Sequence, residues 1–315
     1  MKIKSIGGEQ GLIQMIKRRP RNRAVLVGIG DDAAVVRPGR KKLVLTTDLL
    51  VEDDHFSLKW SSPEQVGKKA VEANVSDVAA MNAKPLYALV SVCLKKSATV
   101  EFVRGLYKGI YSAGKKYGVD VIGGDFTHGE KAVVNIAMVG EASGRLCLRS
   151  NAKNGDLIFV SGNIGGSTAG LELLRKGKRG FANVKKMHLE PKAQLGKALK
   201  IGSIANAMED VSDGLASEVK NICRESGKGA EIFLEKIPIS GEVKKAAKVL
   251  EKSAVDFALF GGEDFELVFT VPRKNRKRAE RLGTEVGKIT KGKKIYLVEN
   301  GKKALLEKAG YDHFA

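Results

Sequence analysis

The sequence predicts a protein of the α+β class with two domains. Short apolar runs typical of strands alternate with longer amphipathic stretches typical of helices along all 315 residues. A polar segment with glycines at 144–155 interrupts this pattern, so we place the boundary there and expect domains of residues 1–145 and 146–315. The composition, with 43% hydrophobic and 29% charged residues, is typical of a globular protein with a sizeable core.

The first domain is predicted to contain a sheet and two long helices. Its apolar runs predict strands at 24–29, 33–36, 43–47, 86–94, 119–122 and 132–141. A helix is expected from the segment SSPE at 61–64 to about Met81, because proline is favoured at the first helical position. A second, amphipathic helix covers 97–117, and Gly118 ends it.

The second domain mixes both element types and ends in a hairpin. Strands are predicted at 157–160, 232–234 and 266–271, and helices at 166–175, 191–207 and 214–226, with a basic helix after Pro272. The apolar runs 295–298 and 302–306 flank Asn300-Gly301, a dipeptide that favours a type I′ turn. This arrangement predicts a β-hairpin near the C-terminal end.

The charge balance is unusual, since 55 lysines and arginines against 36 acidic residues give a net charge of +19. Such an excess suggests a polyanionic partner, which is a nucleic acid, an anionic surface or a small phosphate compound. The basic residues are spread over both halves, and no aromatic residues interleave with the basic runs. This distribution weakens the nucleic-acid interpretation.

Targeting and redox features point to a reducing, cytoplasmic compartment. No apolar run approaches the roughly 18 residues that a membrane-spanning helix needs, and the first residues lack the apolar core of a signal peptide. The three cysteines, Cys93, Cys147 and Cys223, are far apart and form no Cys-x-x-Cys pair. Neither a disulfide framework nor a zinc ribbon is therefore expected.

The residues that carry chemistry are aspartates at the ends of apolar runs or beside glycine and serine. They are Asp31, Asp32, Asp48, Asp77, Asp125, Asp210 and Asp213. Carboxylates without a neighbouring histidine or cysteine are hard oxygen ligands that suit Mg²⁺, which shares its coordination sphere with phosphates and water. Glycine-rich loops are expected at 123–124, after the predicted strand, and at 162–166, and they can bring backbone N–H groups close to an anion. Gly261-Gly262 is a third glycine pair followed by acids.

Two common nucleotide motifs are not supported. The segment GIGDDA at 28–33 matches G-x-G-x-x-A after a strand, but its two aspartates would repel a pyrophosphate. The β-branched residues that follow, and then Pro38, do not favour the helix that a dinucleotide site requires. The chain also lacks the G-x-x-x-x-G-K-[ST] sequence of a P-loop.

Taken together, these motifs resemble the thiamine-monophosphate kinase family over nearly the whole chain. The segments that carry the resemblance are GIGDDAA at 28–34, TTD at 46–48, VE with HF at 51–56, NVSD at 74–77, GGD at 123–125, DVSDGL at 210–215, GGEDFEL at 261–267 and GYDHF at 310–314. The parent superfamily, which includes aminoimidazole ribonucleotide synthetase, shares only part of this set.

The resemblance implies a fold, an activity and an assembly. The fold is the two-domain aminoimidazole ribonucleotide synthetase-like fold, with an N-terminal mixed sheet that dimerises and a C-terminal α/β sandwich. The activity is Mg²⁺-dependent transfer of the ATP γ-phosphate to thiamine monophosphate, which gives thiamine diphosphate and ADP. The assembly is a homodimer whose N-terminal sheets meet across the dimer axis, with no nucleic acid or membrane as partner.

The resemblance also implies roles for individual residues. Residues that resemble the family's metal site are Asp32, Thr46, Thr47, Asp48, Asp77, Asp125, Asp210 and Asp213. Residues that resemble its nucleotide contacts are Tyr107, Gly124, Asp125, Arg149 and Ser212. Residues that resemble its contacts to the thiamine phosphate are His55, Glu263 and Tyr311.

Four positions depart from the family pattern. Asp53 stands where the family usually has glycine, and Asn82 replaces a glycine. Phe126 replaces a threonine, and Gly166 stands where an aspartate is common. These departures concern the details of loops and leave the aspartate set intact.

The predicted chemistry explains why acids and not bases mark the site. A phosphate monoester is largely dianionic at pH 7, so as an acceptor it needs no general base. We therefore expect direct in-line transfer without a phosphoenzyme. The alternatives are another ATP-dependent enzyme of the same superfamily, which the segments at 51–56 and 261–267 fit less well, and a basic nucleic-acid-binding protein.

Overall fold

The computed structural model describes residues 25–27, 31–37, 39–308 and 310–311. Within them the chain forms two sheets with helices packed against each, which confirms the predicted α+β class. The glycines Gly28 and Gly30 of the first motif and His313 of the last one lie outside the described residues. None of the helices in this part of the chain is long and apolar enough to cross a membrane.

The N-terminal sheet has six strands. They are β1 (Val25–Val27), β2 (Ala34–Val36), β3 (Leu43–Val51), β4 (Ala83–Leu94), β5 (Asp120–His128) and β6 (Val133–Ala142). Their order across the sheet is β1-β2-β3-β6-β4-β5, and every neighbouring pair is antiparallel except β4 with β5. Two helices, α1 (Pro63–Ala80) and α2 (Val100–Tyr117), cover one face of this sheet.

Side chains alternate along these strands, so the two faces of the sheet differ. Ala88 and Val90 of β4 are buried under α1 and α2, whereas Tyr87 and Leu89 point the other way and are 45% and 48% exposed. We call the uncovered side the outer face. The strand registers place on it Thr47, Leu49, Tyr87, Leu89, Ser91, Asp125 and Asn135.

Helix α1 packs against both halves of the chain. It begins with a capping box, in which the Ser62 hydroxyl accepts from the Gln65 backbone N–H and the Gln65 side chain accepts from the Ser62 N–H. Val75 packs in the core of the N-terminal sheet, while Ala79 and Ala80 pack in a core of the second sheet. This one helix therefore positions its side chains relative to both sheets.

The C-terminal sheet has seven strands. They are β7 (Leu157–Val160), β8 (Met208–Asp210), β9 (Gly229–Phe233), β10 (Leu267–Val271), β11 (Thr284–Thr290), β12 (Ile295–Glu299) and β13 (Lys302–Leu305). Their order is β13-β12-β9-β11-β7-β10-β8, with β9 and β12 the parallel pair in an otherwise antiparallel sheet. The helices of this half are α3 (Gly166–Arg175), α4 (Ala182–Leu189), α5 (Leu195–Ile201), α6 (Leu215–Ser226), α7 (Gly241–Leu250), α8 (Ala254–Phe260) and α9 (Arg276–Ala279).

The structure corrects several predicted boundaries. The segment 191–207 is helical only over Leu195–Ile201, because the chain then turns and the Asn206 N–H bonds to Thr270 O at 2.7 Å beside β10. The strand predicted at 119–122 continues to His128, and the strand predicted at 43–47 continues to Val51. The hairpin is confirmed, since β12 and β13 pair around Asn300 and Gly301, which have φ values of 47° and 77°.

A substitution at the crossing of α1 and α2 tests this packing. A Cβ atom added at Gly67 would lie 2.1 Å from the Leu106 carbonyl oxygen, so Gly67→Ala forces the helices apart. We expect the free energy of unfolding in urea to fall by about 1–3 kcal/mol. Gly241→Ala is the control, because position 241 has no heavy atom within 4 Å of an added Cβ. Equal stability of the two variants would contradict the close helix contact.

Candidate active site

Three aspartates from distant parts of the chain meet where the two halves join. Asp32 follows β1, Asp77 lies on α1 and Asp210 ends β8, and one carboxylate oxygen of each lies within 4.8 Å of the others. We call these three residues the acidic cluster. Thr46 of β3 donates a hydrogen bond of 2.5 Å to Asp77 Oδ2, and Ser76 donates one of 2.6 Å to Asp210 Oδ2. Neighbouring hydroxyls therefore orient two of the three carboxylates.

Burial raises the pKa of each carboxyl group in the acidic cluster. At Asp77 the charges of Asp48, Asp210 and Asp32 add to the effect of desolvation on the pKa. The pKa of Asp210 is raised by burial first and then by Asp32, while at Asp32 the Arg149 guanidinium opposes the effect of burial on the pKa. Buried like charges at this separation favour either protonation or a bound cation.

One oxygen of the acidic cluster has no hydrogen-bond donor. Asp32 Oδ2 is buried and unpaired among the described residues, although its partner oxygen Oδ1 bonds to Arg149. A buried carboxylate oxygen without a donor is rare in native proteins. Three carboxylates with an orphaned oxygen form a hard oxygen donor set, so the cluster fits a divalent cation.

Arg149 supplies the positive charge at this acidic site. Its guanidinium lies 2.5 Å from Asp32 Oδ1 and 2.8 Å from Glu209 Oε1. Its backbone N–H donates to Asp31 Oδ2 at 3.2 Å, and its carbonyl accepts from the Ser226 hydroxyl at 2.6 Å. The residue that resembles a nucleotide contact is thus held among acids in this structure, and its role toward a nucleotide stays a prediction.

Sequence reasoning missed two buried glutamates beside this arginine. Glu209 is fully buried and accepts a hydrogen bond of 2.8 Å from Asn221 Nδ2. Glu218 accepts from the backbone N–H groups of Ser212 and Asp213 at 3.2 and 2.8 Å, and so fixes the turn before α6. The available signal for Glu209 was its position directly before Asp210 in a mostly apolar segment.

A cavity of about 350 Å³ lies between the two halves. Asp48 of β3 and Lys69 of α1 line one side, and Ser212, Asp213 and Gly262 line the other. Thr46, which bonds to Asp77, shares a face of β3 with Asp48, and Asp210 lies two residues before Ser212, so the cavity borders the acidic cluster. The arrangement can hold a ligand with its anionic end toward the acids and any cation bound by them.

The three residues assigned by resemblance to thiamine phosphate all line this cavity. They are His55, Glu263 and Tyr311. His55 Nδ1 accepts from the Val51 N–H at 3.1 Å, and the Tyr311 hydroxyl donates to Asp54 Oδ1 at 2.9 Å. Their contacts with a substrate stay predictions, but the fold brings all three to one cavity together with Asp48, Ser212 and Asp213.

Two predicted metal residues lie on the other side of the sheet. The Thr47 hydroxyl accepts a hydrogen bond of 2.8 Å from Asn135 on the outer face. Asp125 is exposed there and pairs in register with Ser91. Strand alternation explains this, because Thr46 and Asp48 point toward α1 and the residue between them points away. Thr47 and Asp125 therefore cannot bind the same ion as the acidic cluster of their own chain, and their predicted metal roles stay predictions.

Two predicted nucleotide contacts lie near the sheet edge. Tyr107 of α2 stacks on Phe126 of β5, with ring centroids 5.8 Å apart and planes inclined by 30°. Gly124 has a φ of 155°, and a Cβ there would lie 1.9 Å from the Val90 carbonyl oxygen. The expectation that GGD at 123–125 forms a loop after a strand is wrong, because this segment is the middle of β5.

The four departures from the family pattern have local structural accounts. Asp53 and Asn82 both adopt left-handed backbone conformations, with φ of 66° and 55°. Asn82 Nδ2 also donates to the Arg145 carbonyl at 2.9 Å. Phe126 stacks on Tyr107, and a Cβ at Gly166 would lie 2.4 Å from Met187 Sδ. None of these positions belongs to the acidic cluster.

Comparison with known proteins identifies the family. Residues 30–142 match the AIR synthase related protein, N-terminal domain, and residues 153–300 match the C-terminal domain of the same description. The thiamine-monophosphate kinase of Aquifex aeolicus is 39% identical over 318 residues, which cover 100% of both chains. The thiamine-monophosphate kinase of Bacillus subtilis is 38% identical over 92% of this chain and 94% of its own.

The chain belongs to the thiamine-monophosphate kinase family. The solved structure of AaThiL complexed with AMPPCP and TMP superposes with a TM-score of 0.90 at 38% identity, over 100% of this chain and 99% of that one. The two-domain, aminoimidazole ribonucleotide synthetase-like fold that the resemblance implied is therefore confirmed. The acidic cluster thus lies between the two domains of a thiamine-monophosphate kinase fold.

The stability of an Arg149 variant tests whether Arg149 is the buried ion-pair partner of Asp32 and Glu209. Arg149→Leu leaves Asp32 and Glu209 buried without their cation, so we expect the free energy of unfolding to fall by about 3–5 kcal/mol. Arg224→Leu is the matched control, because Arg224 is paired with Glu225 at the surface. Urea denaturation followed by circular dichroism measures both. A similar small loss in both variants would show that Arg149 is not a buried ion-pair partner.

Proposed function

We propose that the chain transfers the γ-phosphoryl group of ATP to the phosphate of thiamine monophosphate and so forms thiamine diphosphate and ADP. The observation that carries the proposal is the acidic cluster beside the cavity between the two halves, in a chain of the thiamine-monophosphate kinase family. The related AaThiL structure holds AMPPCP and TMP. The proposed substrates are therefore ATP and thiamine monophosphate.

We assign Mg²⁺ to the acidic cluster, with Asp48 close by. The donor set consists of carboxylate oxygens, and Asp32 Oδ2 is without a hydrogen-bond donor among the described residues. A bound Mg²⁺ would neutralise part of the phosphate charge and stabilise the charge that spreads over the transferred group in the transition state. The hydroxyls of Thr46 and Ser76 donate hydrogen bonds to Asp77 and Asp210 and so orient the carboxylates that would bind the cation.

The acceptor explains why no protein base is required. The phosphate monoester of thiamine monophosphate is largely dianionic at pH 7, so its attacking oxygen carries no proton that a side chain must remove. His188, which lines the cavity, stays neutral because burial lowers its pKa to about 2. The task of the protein is therefore to place two phosphates in line, and we propose direct transfer without a phosphoenzyme.

We also propose a homodimer formed through the outer face of the N-terminal sheet. Leu49, Tyr87 and Leu89 are about half exposed on this face, and burial of these apolar side chains would favour association. Two sheets that meet there would bring Thr47 and Asp125 of each chain to the interface. In such a dimer Thr47 and Asp125 would keep the metal roles that the resemblance implies for them. The domain bounds that we propose are 1–145 and 146–315.

The reaction itself is the direct test of the function. The protein incubated with ATP, Mg²⁺ and thiamine monophosphate should form thiamine diphosphate and ADP in equal amounts, measured by chromatography. Unphosphorylated thiamine is the control acceptor and should give no product, because transfer requires the acceptor phosphate. ADP formed only with a different acceptor would refute the proposal and indicate another activity of the superfamily.

Thermal stability tests the metal assignment independently of turnover. A ligand that binds only the folded state at about 100 times its Kd stabilises by about 2.7 kcal/mol, so MgCl₂ should raise the Tm of the wild type. Asp77→Asn should abolish this rise. Asp120→Asn, an exposed aspartate at the start of β5, is the control and should keep it. An equal rise in Tm in all three proteins would show that Mg²⁺ does not bind at the acidic cluster.

A further inference from the structure

A buried lysine connects α1 to the substrate cavity. The Lys69 side chain is 4% exposed, and its Nζ lies 2.7 Å from Glu263 Oε1. The same ammonium donates to Glu263 Oε2 at 2.7 Å and to the His55 carbonyl at 2.6 Å. Because a buried ammonium is stable only when paired and hydrogen-bonded, these contacts determine where the Lys69 side chain lies.

Glu263 is held in an unusual backbone conformation at the opposite wall of the cavity. Its φ is 65°, and that of Phe265 is 50°, both in the left-handed region that non-glycine residues seldom adopt. The Glu263 N–H donates to the Ser212 carbonyl at 2.7 Å, and Gly262 packs directly on that carbonyl. The side chain is a quarter exposed toward the cavity. A strained segment of this kind needs contacts that fix it.

The positive charge that faces Glu263 comes from Lys69 and not from histidine. His188 Nδ1 lies 3.4 Å from Glu263 Oε2 and 3.2 Å from the Ser167 hydroxyl. Burial, with smaller contributions from Lys69 and Arg175, lowers the pKa of His188 to about 2. A neutral imidazole offers Glu263 a hydrogen bond at most, whereas the ammonium of Lys69 forms a charge-assisted pair.

We propose that Lys69 is a positioning residue for the acceptor. It fixes the Glu263 carboxylate by an ion pair across the junction of the two halves, so that Glu263 presents its accessible side to a hydrogen-bond donor on the thiamine moiety. The inference rests on the proposed function, because the contact of Glu263 with thiamine monophosphate is part of it. Lys69 then acts through Glu263 and does not itself touch the substrate.

A double-mutant cycle tests this assignment through the KM values of both substrates. Lys69→Met keeps an unbranched side chain of similar length and should raise the KM for thiamine monophosphate by about tenfold, with the KM for ATP unchanged. In the Glu263→Gln background the same substitution should add less than about twofold, because the group that it positions is already altered. Lys69→Arg, which keeps the cation, should restore most of the affinity.

A neighbouring lysine provides the matched control. Lys68 pairs with Glu64 at 2.8 Å, its side chain is 31% exposed and it does not line the substrate cavity, so Lys68→Met should have wild-type KM values for both substrates. The Tm of every variant is measured alongside. If Lys69→Met does not fold, the KM values of Lys69→Arg and of the double variant are compared instead. A merely structural lysine would lower Tm and total activity without changing the ratio of the two KM values.

The outcomes separate the two proposals. A wild type that forms no thiamine diphosphate would overturn the function and the positioning role with it. Normal wild-type turnover with an unchanged KM for thiamine monophosphate in Lys69→Met would overturn the positioning role alone. A full tenfold effect of Lys69→Met in the Glu263→Gln background would also overturn it, because Lys69 would then contact the substrate phosphate directly.

Discussion

The acidic cluster constrains the rest of the structure, because three buried carboxylates that repel one another must be brought together from both halves of the chain. Asp77 comes from a helix, Asp210 from the edge of the C-terminal sheet and Asp32 from the bend before β2. Two apolar cores hold these elements in place, and α1 contributes to both. Arg149 offsets part of the repulsion at Asp32 and Glu209. The proposed cation would offset the rest of the repulsion, which is unfavourable for stability while the carboxylates are charged and buried.

The sequence was sufficient to predict much of the site but not its geometry. The sequence singled out seven aspartates by their local context, and Asp32, Asp77 and Asp210 are three of them. Which three meet is determined by the tertiary fold and could not be predicted. Lys69 and Glu263 were a different case, because 194 residues separate them and only the tertiary fold pairs them. Thr46 and Thr47 were assigned together, although the period of a strand places consecutive side chains on opposite faces.

The same limits apply to the fold. The two N-terminal helices were predicted to within a few residues because both are long and have clear start signals, and α2 also has a strong apolar periodicity. The helices α4, α7 and α8 were missed. Helices α4 and α8 have only 8 and 7 residues, which is too short for a periodic signal. Helix α7 was overlooked although Val243, Ala246, Ala247 and Leu250 have helical spacing. The GGD segment was expected to be a loop because glycine marks turns, but Gly124 is required where β5 passes close to the Val90 carbonyl.

Helix α1 has a further consequence for recognition. It carries Lys69 and, eight residues later, Asp77, which corresponds to about 12 Å along the axis at 1.5 Å per residue. Under the function proposed above, this helix sets the distance between the lysine that positions Glu263 and the carboxylates at the proposed place of phosphoryl transfer. An acceptor whose phosphate lies too close to its ring system, or too far from it, would not fit both. Molecular length, and not charge alone, would then be a criterion by which the site selects its substrate.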